Sequence, residues 1–253
     1  MSKLCLSAPH ANFPPYVHSI VASPNEQAWP VMEQGYNECD FAATANALNL
    51  LTGAPRYHKD LLLREAGPLF QPALGGTISP AKGWLIRRRR FGTHFGCLAR
   101  TTAEPVLREL IDCGVPVIIE LGVAFWLGHR PIYGQHAVVL VGYSEPYTDS
   151  GGTLREEYYL LDSQWPALGR FSLHANDADR NGDGVNEPFP GNRTLSRAEL
   201  LAAFPTGIYF PVFHNQLDHD TWYHTHIRNT QRVSILRWLD QELLTGSYDQ
   251  WVG

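Results

Sequence analysis

Gly134-Gln135-His136-Ala137-Val138-Val139-Leu140-Val141-Gly142-Tyr143 places a histidine at the mouth of a continuous aliphatic run that closes on glycine. A run of this length and β-branched content reads as a buried strand, and a residue at the end of a strand sits on a rigid mount that can reach a cleft. A histidine so placed is in most proteins a surface or satisfied core residue, so its meaning depends on its surroundings. The next strand candidate runs from Glu157 to Leu161 and is closed by Asp162. If the two strands are neighbours, Asp162 falls beside His136 and can hold the imidazole in the tautomer that a general base requires.

Upstream, the segment Cys39 to Leu51 (CDFAATANALNLL) has apolar residues at Phe41, Ala45, Leu48 and Leu51, with Gly53 and Pro55 just beyond. That pattern predicts a helix buried on one face. Cys39 opens it, where the positive end of the helix dipole favours a thiolate, although a cysteine at a helix start is commonly just a small packed hydrophobe. Gln34, five residues earlier, could donate its side-chain N–H to an oxyanion alongside the backbone N–H of Cys39. Further helices are expected at His58 to Glu65, Ala81 to Arg88, Glu104 to Asp112 (capped by Thr101 or Thr102 and closed by Gly114) and Ser196 to Phe204. In the last of these, Ser196 and Glu199 form a capping-box signature. Strands are expected at Val115 to Leu121 and Gly207 to Val212. Helices first and sheet second predicts an α+β fold rather than a doubly wound one.

The run Gln34-Gly35-Tyr36-Asn37-Glu38-Cys39 with Ala42-Ala43, the strand His136 to Tyr143 and the position of Asp162 together resemble the bacteriocin-processing, C39-type cysteine peptidases and their C39-like relatives. The resemblance covers about residues 30 to 212. It implies a papain-like fold in which N-terminal helices pack on an antiparallel sheet. It also implies a catalytic set of Cys39, His136, Asp162 and Gln34 that hydrolyses peptide bonds through an acyl-enzyme. The chain departs from that family at Asp40-Phe41, where Gly-Pro or Gly-Ala is usual, and Asp40 sets a negative charge beside a thiolate; an acidic residue in a first turn also suits the helix dipole. Two rival readings follow. One is a catalytically inactive papain-like module that binds a peptide or partner, and the other is a transglutaminase-type acyltransferase, which uses the same three residue types in the same order.

The 253 residues, 44% of them hydrophobic, suit one domain with a sizeable core. We divide the chain into an extended N-terminal arm (1–33), the C39-like domain (34–213) and an aromatic C-terminal extension (214–253) that could join subunits into a homo-oligomer. A net charge of -5 gives no footprint for nucleic acid or for an anionic membrane, which leaves a peptide or protein substrate as the expected partner. No stretch approaches the roughly 18 apolar residues of a membrane span. No signal segment is legible at the N-terminus, so a soluble, cytoplasmic protein is expected. The four cysteines have unrelated spacings, which argues for free thiols rather than disulfides or structural zinc.

Three clusters remain. Residues 177–187 place Asp177, Asp179, Asn181, Asp183 and Glu187 at alternate positions around glycines, a pattern suited to a structural Ca²⁺ or to an unliganded turn. Pro188 occupies the position where an EF-hand needs glutamate, so a full EF-hand is not expected, and a Ca²⁺ loop would point to an extracytoplasmic site. Phe125 and Trp126, in the loop before His136, are candidates for an apolar substrate subsite or for loop packing. Arg87 to Arg90 reads as the solvated end of a helix, and the histidines between His214 and His226 match no known zinc spacing.

Overall fold

The structure, a computed structural model, describes residues 13–21, 34–35, 37–71, 76–77, 81–92, 94–96, 98–100, 103–122, 135–164, 176–178, 184–185, 187–204 and 207–228. Its strands are β1 (Val17–Ser19), β2 (Phe70–Gln71), β3 (Gly76–Thr77), β4 (Phe95–Gly96), β5 (Ala99–Arg100), β6 (Val117–Gly122), β7 (Gln135–Ser144), β8 (Tyr147–Thr148), β9 (Leu154–Arg155), β10 (Glu157–Leu161), β11 (Asn176–Ala178), β12 (Glu187–Phe189), β13 (Arg193–Ser196) and β14 (Ile208–Phe213). The helices are α1 (Cys39–Thr52), α2 (Lys59–Ala66), α3 (Ala81–Ile86), α4 (Pro105–Asp112), α5 (Arg197–Ala203) and α6 (Gln216–Trp222).

One antiparallel sheet organises these elements, in the order β13-β10-β7-β6-β14-β4, with β5 also on β14 and β1 also on β7. The alternation of side chains along β7 divides the core in two. Ala137, Val139 and Val141 face a cluster built by Phe41 and Leu48 of α1, Leu62 of α2, and Leu85 and Ile86 of α3. Val138 and Leu140 face Leu107, Leu110 and Ile111 of α4, Leu200 of α5 and Trp222 of α6. The fold is therefore α+β, with the expected antiparallel sheet. A cysteine-bearing helix packs on the sheet that carries the histidine, with the aspartate just beyond the end of β10. The N-terminal helices cover one face, and α4 to α6 cover the other. Residues Asp40 to Asn49 of α1 are all buried, so this helix is enclosed on every side rather than half-exposed, in keeping with its run of small alanines.

Several boundaries moved for identifiable reasons. The strand expected from Val115 begins at Val117, after Pro116, which has no N–H for the ladder and whose carbonyl instead accepts from Val212 N–H. Helix α3 stops at Ile86, and the arginine run continues into a short 3₁₀ turn, Arg89–Phe91, where Arg88 stacks over Trp84. The N-cap of α4 is Glu104, without a side-chain capping bond, rather than Thr101 or Thr102, which lie outside the described residues. The carboxylate of Glu104 is engaged instead by Arg108 and Arg197. The capping box of α5 forms as its sequence signature predicts.

At the chain ends, Val17–Ser19 pairs with Ser144 to Gly142, continuing along the side of β7 that β6 leaves at Leu140. Beyond β14, α6 buries Trp222 against Tyr209 and Phe213. Residues 229–253 of the aromatic extension lie outside the described residues. No helix among the described residues is long and apolar enough to cross a membrane.

Candidate active site

Cys39 is the first residue of α1. Intrahelical bonding begins with Phe41 and Ala42, whose N–H groups donate to the carbonyl of Glu38, so the N–H groups at the very start of the helix have no acceptor within it. The approach to Cys39 is shaped by its own residues. Asn37 adopts φ 57°, a left-handed conformation that asparagine tolerates better than most side chains. Gly35 N–H donates to Glu38 Oε2 at 2.7 Å, and a Cβ on Gly35 would stand 2.7 Å from that same oxygen. Lys59 of α2 then pairs with Glu38 at 2.5 Å.

Three of the four expected catalytic residues meet here. His136 Nε2 lies 2.7 Å from Asp162 Oδ1, and the Cys39 thiol is close enough to the imidazole to favour its protonated form. Burial works against a charge on His136, but Asp162 and Cys39 outweigh it and push the imidazole pKa up to about 9. Gln34, the fourth, is tied to the residue after Asp162. Its N–H donates to the Ser163 carbonyl at 3.1 Å, and its Oε1 accepts from Ser163 Oγ at 2.8 Å. Holding the carboxamide by its oxygen leaves its NH₂ group as the end available to a ligand.

A β-bulge interrupts the pairing of β10 with β7 shortly before Asp162. β10 pairs with β7 as Tyr158↔Tyr143 and Tyr159↔Gly142, then slips so that Leu160 opposes Leu140 and Leu161 opposes Val139. The pairing ends at Leu161, and Asp162, just past the strand end, reaches His136 Nε2 at 2.7 Å. Gly142 sits in the bulge because a Cβ there would stand 2.6 Å from the carbonyl oxygen of His18 on β1.

Asp162 is wholly buried and fully supported. Its Oδ1 also accepts from Gln164 N–H at 2.9 Å, and its Oδ2 accepts from Arg193 Nη1 at 2.7 Å. Asn192 clamps its backbone, accepting from Asp162 N–H at 2.7 Å and donating to Asp162 O at 2.9 Å. Although burial alone would raise the Asp162 pKa, the bond to His136 with those to Gln164 and Arg193 holds it below the ordinary carboxylate value. Asn192 and Arg193 were not legible as site residues. Gly191 (φ 83°), whose Cβ would collide with the Leu160 carbonyl, turns the chain so that they abut the end of β10.

Asp40, the departure from the family pattern, is buried and bound to Lys82 of α3, whose Nζ lies 2.6 Å from Asp40 Oδ1 and 3.3 Å from Glu120 Oε1 on β6. Burial opposes a charge on Lys82, but Asp40 and Glu120 outweigh it and raise its pKa, so it remains an ammonium ion. A lone lysine within Ala81-Lys82-Gly83-Trp84-Leu85-Ile86 was the sequence signal for it.

The remaining expected sites fall largely elsewhere. Phe125, Trp126, Asp179, Asn181 and Asp183 lie outside the described residues. Asp177 and Glu187 are described in backbone only, on the paired strands β11 and β12. Among the described residues no group of three or more histidine, cysteine or acidic side chains is placed to hold a metal ion. Neither Cys39 nor Cys113 is in a disulfide.

No family model matches this chain, and no curated protein matches it. Among solved structures, one from Bacillus anthracis, described as that of a proposed C39-like peptidase, is 14% identical, with 75% of this chain and 96% of that chain covered at a TM-score of 0.48. The chemistry of the site rests on its own geometry.

Proposed function

We propose that the protein is a cysteine peptidase of the C39-like kind, hydrolysing a peptide or protein substrate with Cys39 as nucleophile, His136 as base and Asp162 as the residue that orients the base. The observation that carries this reading is the buried imidazole held between Asp162 and the thiol at the start of α1. In the first step the Cys39 thiolate, its proton already held on His136, attacks the substrate carbonyl carbon. The backbone N–H of Cys39 and the NH₂ of Gln34 donate to the oxyanion that forms, each donor contributing about 3 kcal/mol in sites of this type. The imidazolium then protonates the leaving amine and a thioester remains. His136 next takes a proton from water, whose oxygen displaces sulfur and releases the acid product.

Labelling with a limiting amount of a thiol-directed epoxide, followed by peptide mapping, tests this reading. We expect Cys39 to react faster than Cys5, Cys97 and Cys113, and His136→Ala to remove that preference while circular dichroism stays unchanged. Equal reactivity of all four thiols in the folded wild-type chain would overturn the nucleophile assignment.

We also propose a structural Ca²⁺ at residues 177–187. The alternating oxygen-bearing side chains support it, as does the β11–β12 pairing, which brings the two ends of the loop together.

A further inference from the structure

Cys39 stands between two carboxylates in sequence, Glu38 and Asp40, an unfavourable setting for a residue that must carry negative charge. Each carboxylate has a lysine partner from a different helix: Lys59 for Glu38 and Lys82 for Asp40. The two pairs differ in setting. Glu38 and Lys59 are partly exposed, 19% and 15%, so water and salt screen them more than the inner pair. The Lys82 side chain is only 2% exposed and that of Asp40 12%, so among the described residues Lys82 is the cation paired with the Asp40 carboxylate.

We propose that Lys82 is a positioning residue for the nucleophile. On this view its ammonium neutralises Asp40 beneath the first turn of α1 and so permits Cys39 to ionise, while its second contact, to Glu120, fixes the start of α1 to β6. The inference rests on the reading of Cys39 as the nucleophile. Other charged groups face the same region: His136 and Asp162 from the sheet, Glu120 from β6, and the Glu38–Lys59 pair from the loop and α2. Of these, Glu120 shares Lys82 with Asp40, so a single ammonium faces two carboxylates and lies closer to Asp40, at 2.6 Å against 3.3 Å. Its location explains how a chain can carry aspartate where the C39-like pattern carries glycine: the carboxylate is admitted together with its counter-ion from α3.

The test follows the rate of Cys39 labelling by the epoxide against pH in the full-length protein, with melting temperature read on the same samples. In Lys82→Met the uncompensated Asp40 charge should move the profile to higher pH and slow labelling at neutral pH on the order of tenfold. Asp40→Asn should move it the other way, and Lys82→Met combined with Asp40→Asn should return it close to wild type. Lys82→Arg, which keeps the charge, should leave the profile in place. A solely architectural lysine would lower the melting temperature in Lys82→Met and leave the pH profile unmoved. That result, or a double variant that labels no better than Lys82→Met, would overturn the proposal. Should Lys82→Met fail to fold, Asp40→Asn alone decides: an unshifted profile overturns it. Failure of the underlying reading is distinguishable, because it shows as absence of selective Cys39 labelling in the wild-type chain, and it would take this inference with it.

Discussion

His136 is unusual among buried histidines in being surrounded by groups that favour its protonated form. Asp162 accepts from one ring nitrogen at 2.7 Å, and the nearby Cys39 thiol adds to the effect. The consequence for stability has a definite sign. A histidine whose folded-state pKa stands at about 9, against an ordinary 6.5, contributes stability that is complete below about 6.5 and is lost as pH rises through about 9. Asp162, held below its ordinary 3.8, contributes stability that is present above that value and is lost as pH falls through its lowered one. Thermal unfolding followed across pH should therefore show a decline on the alkaline side between about 6.5 and about 9. His136→Gln should flatten it; a variant that retains the full decline would show that another group is responsible.

At the scale of elements, the site depends on a helix whose first residue is the thiol and on two neighbouring strands, β7 and β10, that present His136 and Asp162 at their ends. The helix announces itself in its apolar spacing and in the stop signals Gly53 and Pro55, and it ends on Gly53 at φ 60°. The bulge does not announce itself, since Val141 and Gly142 read as two ordinary steps of an alternating strand. Gly142 is the position at which this arrangement is most exposed to change. A methyl group there would meet the His18 carbonyl at 2.6 Å and Pro190 Cγ at 3.2 Å. Gly142→Ala should therefore push β1 away from β7 and cost about 1–3 kcal/mol, the usual range for an overpacked core. Denaturant unfolding gives the stability, and limited proteolysis of residues 13–21 shows whether β1 is released. A variant as stable and as resistant as wild type would show that β1 can shift at no cost.

Across the whole molecule, one sheet serves two cores. Helices α1 to α3 bring Cys39 and Lys82 to one face, and α4 to α6 close the other. The 177–187 segment is carried between β10, which ends beside Asp162, and β13, which begins with Arg193. If the segment binds Ca²⁺, the bound ion stabilises only the folded chain, and at about a hundredfold excess over its dissociation constant the melting temperature should rise by about 5–10 °C and fall back with a chelator. An unchanged melting temperature in saturating Ca²⁺ would remove the metal from this segment.

What was legible from the sequence and what was not divides along the range of the interactions. The helix that opens at Cys39, the strands ending at Tyr143 and Leu161, the capping box at Ser196 and the α+β order are all written in patterns of a few residues, because helix and strand periodicity and capping are local. Cys39, His136 and Asp162 could be named for the same reason, each at the end of a legible element. The partners of these residues could not. Lys82 reaches Asp40 across 42 positions, Arg193 reaches Asp162 across 31 and Ser163 reaches Gln34 across 129. Such contacts exist only once the sheet register is set, and a single-residue slip at Tyr159 and Leu160 decides it. The sequence by itself determined the elements and the residues at their ends. Tertiary structure alone decided which charges are balanced, because burial turns a neighbouring carboxylate from a screened detail into a group that must find its counter-ion.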